Sequence, residues 1–190
     1  MRTKQTYNQK RKVLLSHTFP PRIVSDLINL EISITIPDDF ELGCLVYLYG
    51  DMETGKTLYF AKLIELEIQD RWIAGTYASD QFWFVNTTEF LSQLKRTFEQ
   101  PGGSLEFNKL LQKAKNVEIL CLDDLGTGKP GSWMLDIFYE ILNHRYEYQL
   151  TTLISSNFDL GELETYLGDG RIPSRIRRGG QVLHKKHWNE

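Results

Sequence analysis

From Gly43 onward, short continuous apolar runs alternate with longer amphipathic stretches, the pattern of strands buried on both faces and of helices that cover them. Residues 44–49, 82–85, 117–122 and 150–155 read as such strands, and 181–185 as a closing one. Helices are predicted over 57–69, 132–149, 160–167 and 172–178. Another opens at Asn86, where Asn86 and Glu89 have the spacing of a capping box. Pro101-Gly102-Gly103 ends that helix, and Ser104 is expected to cap the next, which runs to about Lys115. Strand–helix alternation of this kind predicts an α/β fold, a parallel five-stranded sheet flanked by helices.

Upstream the pattern is weaker. Residues 1–18 are polar and basic without a clear period, so a loose tail is expected there. Phe19-Pro20-Pro21 stops any regular element, residues 22–30 allow a short helix with Ile23, Leu27 and Leu30 on one side, and Pro37-Asp38-Asp39 signals a turn. The expected division is therefore a basic tail with a short helix over 1–40 and an α/β core over 41–190.

The first chemical signal sits between the first strand and its helix. Gly50-Asp51-Met52-Glu53-Thr54-Gly55-Lys56-Thr57 fits GxxxxGK[ST], the phosphate-binding P-loop. Its glycines let the backbone turn tightly and aim N–H groups at phosphate oxygens, assisted by the positive end of the helix. Lys56 would reach the β- and γ-phosphates of ATP, and the Thr57 hydroxyl would hold Mg²⁺. The strand ending Leu122-Asp123-Asp124 places paired acids at its C-terminal edge, where open α/β sheets bind ligands. Asp123 is the candidate Mg²⁺ acid, and Asp124, expected on the other side of the strand tip, the candidate for polarising the attacking water. Asn157, at the tip of another strand, can bond that water or the γ-phosphate. Arg171 and Arg175, four apart, would share one helix face. An arginine donated by a neighbouring subunit can neutralise charge on the γ-phosphate. Gly126-Thr127-Gly128-Lys129, followed by Pro130, reads as a flexible loop.

Composition is ordinary for a globular chain of 190 residues, with 41% hydrophobic and 25% charged positions. Net charge is −3, but the basic residues gather at the ends: Arg2, Lys4, Lys10, Arg11 and Lys12, then Arg171, Arg175, Arg177, Arg178, Lys185 and Lys186. Such ends are either phosphate-contacting patches or solvated surface. Cys44 and Cys121 lie far apart in apolar runs, which reads as core and excludes a zinc or disulfide framework. His17, His144, His184 and His187 lack ligand spacing, and Phe82, Trp83 and Phe84 read as core. No stretch is long enough to span a bilayer, so a cytoplasmic protein is expected.

Taken together, the motifs resemble the AAA+ helicase-loader family of the DnaC/IstB type over residues 46–178. The resemblance rests on the P-loop, Phe84-Val85-Asn86 with Phe90-Leu91, and Leu122-Asp123-Asp124-Leu125-Gly126. It extends through Ser132-Trp133, Ile141-Leu142-Asn143-His144-Arg145-Tyr146, Ser155-Ser156-Asn157 and Arg171-Ile172-Pro173-Ser174-Arg175. It implies an AAA+ sheet order, Asp124 as catalytic acid, Asn157 as sensor 1, and Arg175 or Arg171 as arginine finger. It also implies a loader that places a DnaB-type helicase on single-stranded DNA and self-associates through the arginine-finger face. An IstB-like transposition helper, or a nucleotide-gated binding module with little turnover, uses the same core. A P-loop small-molecule kinase fits less well, because paired acids with Asn157 suit water activation. Two departures stand out: the short segment before the first strand, and a chain ending at Glu190 without room for a helical lid, as in a compact phage or mobile-element version.

Overall fold

The computed structural model describes residues 2–36, 40, 42–128 and 131–186. The turn expected at Pro37-Asp38-Asp39, together with Lys129, Pro130 and His187, lies outside the described residues.

Strands β1 (Leu45–Tyr49), β2 (Phe82–Asn86), β3 (Ile119–Leu125), β4 (Thr151–Ser156) and β5 (Gly180–His184) form one five-stranded sheet in the order β2-β3-β4-β1-β5. Every pairing is parallel, with Val46 opposite Leu153 and Gln181, and Phe84 opposite Cys121. In β1 to β4 alternate residues feed two cores, which is why these strands read as unbroken apolar runs. Leu45, Tyr47, Leu120, Leu122 and Ile154 face α4 (Thr87–Glu99), α5 (Ser104–Asn116), α6 (Ser132–Glu147), α7 (Leu160–Leu167) and α8 (Arg171–Gly179). Val46, Leu48, Phe84, Cys121 and Leu153 face α1 (Lys4–Ser16), α2 (Pro21–Asn29) and α3 (Lys56–Ala74).

The loose tail expected over residues 1–18 is instead the helix α1, capped by Thr3 and burying Tyr7, Leu14 and Leu15. Its apolar positions at i, i+7 and i+8 were hidden among basic residues, and packing on α3 supplies the order that propensity alone does not. Arg11 belongs to that packing. Its Nε meets Glu65 Oε1 at 2.5 Å and its Nη2 donates to the Leu27 carbonyl at 2.5 Å. Ser104 does not cap α5; Gly103 holds that position, without a side-chain cap. At α4 the Asn86 part of the expected cap is present, Oδ1 accepting from Glu89 N–H at 3.1 Å.

Candidate functional site

The P-loop leaves the C-terminal end of β1 and enters α3 through Gly55, whose left-handed φ of 85° turns the chain into the helix. Gly50 passes so close to the chain after β5 that an added Cβ would lie 2.1 Å from the Lys185 carbonyl oxygen. Within the loop, Thr54 Oγ1 donates to the Asp51 carbonyl at 2.9 Å, Glu53 holds φ at 65°, and Met52 is exposed. The Lys56 ammonium is buried inside this turn. It donates to the carbonyls of Gly50 at 2.7 Å and Asp51 at 2.6 Å. Burial lowers its pKa, while the carboxylates of Asp124, Asp123 and Asp51 oppose that shift.

Thr57 Oγ1 lies 3.0 Å from both carboxylate oxygens of Asp123, joining the P-loop helix to the tip of β3. Asp123 is buried, and burial raises its pKa; hydrogen bonds from Ser155 and Thr57 act against that rise. Ser155 was missed in the sequence. From β4 its hydroxyl donates to Asp123 Oδ1 at 2.5 Å and accepts from the Asp124 N–H at 2.8 Å. The signal available was its register one strand away from the paired acids.

Asp124 sits in a bulge. Leu122 pairs with Ile154 and Leu125 with Ser156, so β3 carries one residue more than β4 across this stretch. Asp124 takes up the difference with a left-handed φ of 60°. A bulge re-aims the side chain at its extra residue, so the direction of Asp124 is set by the β3–β4 register and not by strand alternation. The following Gly126, φ 108°, has no room for a Cβ, which would lie 2.7 Å from the Phe158 ring.

Asn157 lies half-buried just past β4, and its side chain has no hydrogen-bond partner among the described residues. Arg171 and Arg175 do share a face of α8, both over the Tyr139 ring, at 5.5 and 6.0 Å. That face lies across the sheet from α3, so the structure does not bring these arginines to the chain's own P-loop. Arg171 is ion-paired with Asp169 at 2.6 Å and Asp136 at 2.8 Å.

A cleft of about 170 Å³ adjoins the loop, lined by Ile32, Ile34, Gly55, Leu58, Tyr59 and Lys185. The apolar alternation of Ile32, Ile34 and Ile36 was its signal in the sequence. Among the described residues no group of three or more His, Cys, Asp or Glu could hold a metal by itself. A divalent cation at Thr57 and Asp123 would need phosphate oxygens to complete its shell, as hard cations at P-loops do. The hydroxyl–carboxylate pair fits that donor set. Among the described residues no helix is long and apolar enough to cross a membrane.

No protein-family model matches the chain. Over 158 residues it is 33% identical to the replicative helicase loader DnaI of Bacillus subtilis, covering 80% of this chain and 47% of that protein. The replicative helicase loader DnaC of Escherichia coli K12 is 26% identical over 105 residues, 55% of this chain and 42% of that one. A crystal structure of DnaI superposes with a TM-score of 0.61 at 27% identity, covering 88% of this chain and 95% of that chain. The chain thus spans less than half the length of the curated relatives it matches.

Proposed function

From the premise that this chain belongs to the AAA+ family of DnaI- and DnaC-type loaders, we propose that it binds and hydrolyses MgATP to place a replicative hexameric helicase on single-stranded DNA in the cytoplasm. The observation that carries the ATPase reading is the contact between Thr57 and Asp123, because it couples P-loop and acidic strand tip in one chain. Residues 50–57 cradle the phosphates, Lys56 leaving its two carbonyls for the β- and γ-phosphates. Thr57 and Asp123 hold Mg²⁺, which neutralises charge on the phosphates when bound. The cleft of Ile32, Ile34, Leu58 and Tyr59 takes the base.

In hydrolysis, water forms a bond to the γ-phosphorus as the bond to the departing ADP oxygen breaks. Asp124 accepts the water proton, Asn157 orients the water, and Arg175 of a neighbouring copy neutralises the developing charge, with Arg171 the alternative. DNA phosphates meet the exposed Lys4, Lys10 and Lys12 of α1.

Titration of ATP into Lys56→Ala protein is the direct test, with loss of binding expected; unchanged affinity removes the P-loop reading. Asp124→Asn should bind ATP as the parent does and turn over at least about 100-fold more slowly, the scale of a lost general base. Co-purification with the host's replicative helicase, against a transposase control, tests the loader reading against the transposition helper.

A further inference from the structure

We propose that Asn143 and Tyr146 of α6 are positioning residues for Arg175, holding its guanidinium ready for the γ-phosphate bound by a second copy of the chain. The inference rests on the reading of Arg175 as an arginine acting in trans.

Three other arginines packed into the fold are committed. Arg145 donates to Thr152 Oγ1 and to the carbonyls of Ala114, Lys115, Val117, Glu118 and Thr151. Arg11 holds Glu65, and Arg171 holds Asp136 and Asp169. Arg175 is different. Among the described residues it has no carboxylate partner; its Nη2 donates to Asn143 Oδ1, and its Nε is buried without an acceptor. Its guanidinium carbon stands 4.7 Å from the centre of the Tyr146 ring. A cation held by an amide oxygen and an aromatic face keeps its charge uncompensated, with donors to spare for an incoming anion.

The holder is itself oriented. Asn143 Nδ2 donates to Glu147 Oε1 at 2.7 Å, which turns the amide oxygen toward Arg175. Tyr146 lies against Gly179 at the end of α8, where an added Cβ would come within 2.4 Å of the ring. Gly179 therefore leaves the space that lets Tyr146 lie beneath the guanidinium. Tyr146 as a whole is 45% exposed, so it adds little to the core.

The test measures ATP turnover of the full chain against protein concentration, with ATP affinity and thermal midpoint for each variant. Asn143→Ala, Tyr146→Ala and Gly179→Ala should keep ATP affinity while the concentration-dependent gain falls about 10- to 100-fold, the scale of a misplaced catalytic group. Tyr146→Phe keeps the ring and should behave as the parent. Asn143→Asp supplies the missing counter-charge, so turnover should fall without loss of thermal midpoint. Mixing with Lys56→Ala protein, which retains an intact holder, should restore activity to each deficient variant, whereas mixing with Arg175→Ala protein should not. Rescue by Arg175→Ala, or full turnover in Asn143→Ala and Tyr146→Ala beside an inactive Arg175→Ala, overturns the positioning role. A concentration-dependent gain that survives in Arg175→Ala instead overturns the trans reading itself, whatever the α6 variants do.

Discussion

Asp123 concentrates the electrostatic tension of the site, because it is held in a buried place where its charge is disfavoured. Its folded-state pKa lies above that of the unfolded chain, so between the two values the folded state binds more protons. Stability of the nucleotide-free fold should therefore decrease as pH rises through that window, the reverse of an ion-paired carboxylate. Asp123→Asn should flatten this dependence and raise the thermal midpoint near neutral pH, by about 2–4 °C for each kcal/mol relieved in a chain of this size. The same variant should lose Mg²⁺-dependent ATP binding, and melts across pH with and without MgATP report both effects. Arg145 presents the opposite case. It is fully buried, its pKa is pushed down to about 9 by burial, and it remains protonated at neutral pH, bonded to the carbonyls that end α5 and flank β4. Arg145→Met should destabilise the fold by about 3–5 kcal/mol in denaturant titration, since it strands those acceptors. Lysine should not substitute, because an ammonium cannot span acceptors fanned around a planar guanidinium.

At the scale of elements, α1 alters the meaning of the basic N-terminus. A basic tail free to follow DNA would use all of its charges alike, but in the folded helix they divide. Arg11 pairs with a buried Glu65 that also holds Lys62 at 2.9 Å, whereas Lys4, Lys10 and Lys12 remain exposed. Arg11→Ala should therefore lower stability by about 2 kcal/mol, the scale of a lost hydrogen bond to a charged group. Converting Lys4, Lys10 and Lys12 to Gln should leave stability nearly unchanged. The triple variant should instead weaken single-stranded DNA binding and reduce its salt slope, which fluorescence anisotropy at several salt concentrations measures. An unchanged slope would place the DNA contact elsewhere on the molecule.

For the whole molecule, α3 and α8 pack on opposite faces of one sheet, which sets the α8 arginines apart from the P-loop helix. Under the proposed trans role of Arg175, a lone chain does not complete its own site. Turnover per chain should accordingly rise with protein concentration and stay low when the protein is dilute, while ATP affinity measured on the dilute chain is already full. Sedimentation and turnover read over the same concentration range check this together, and a turnover per chain independent of concentration refutes it.

The residue pattern alone was sufficient for what depends on neighbours in sequence. Gly50 through Thr57, the apolar runs now seen as β1 to β4, and Asp123 at a strand end were legible because a P-loop, a doubly buried strand and a strand-tip acid each need particular residues at fixed short spacings. Contacts across many residues decided the rest. Helix α1 gains its order from α3, the bulge at Asp124 arises from the β3–β4 register, and Ser155 reaches Asp123 only because those strands are neighbours. Arg145 and Arg175, both basic residues in a string, became a buried structural cation and a half-buried cation without a counter-charge through packing alone. Burial and pairing are properties of surroundings, and surroundings exist only once the chain has folded.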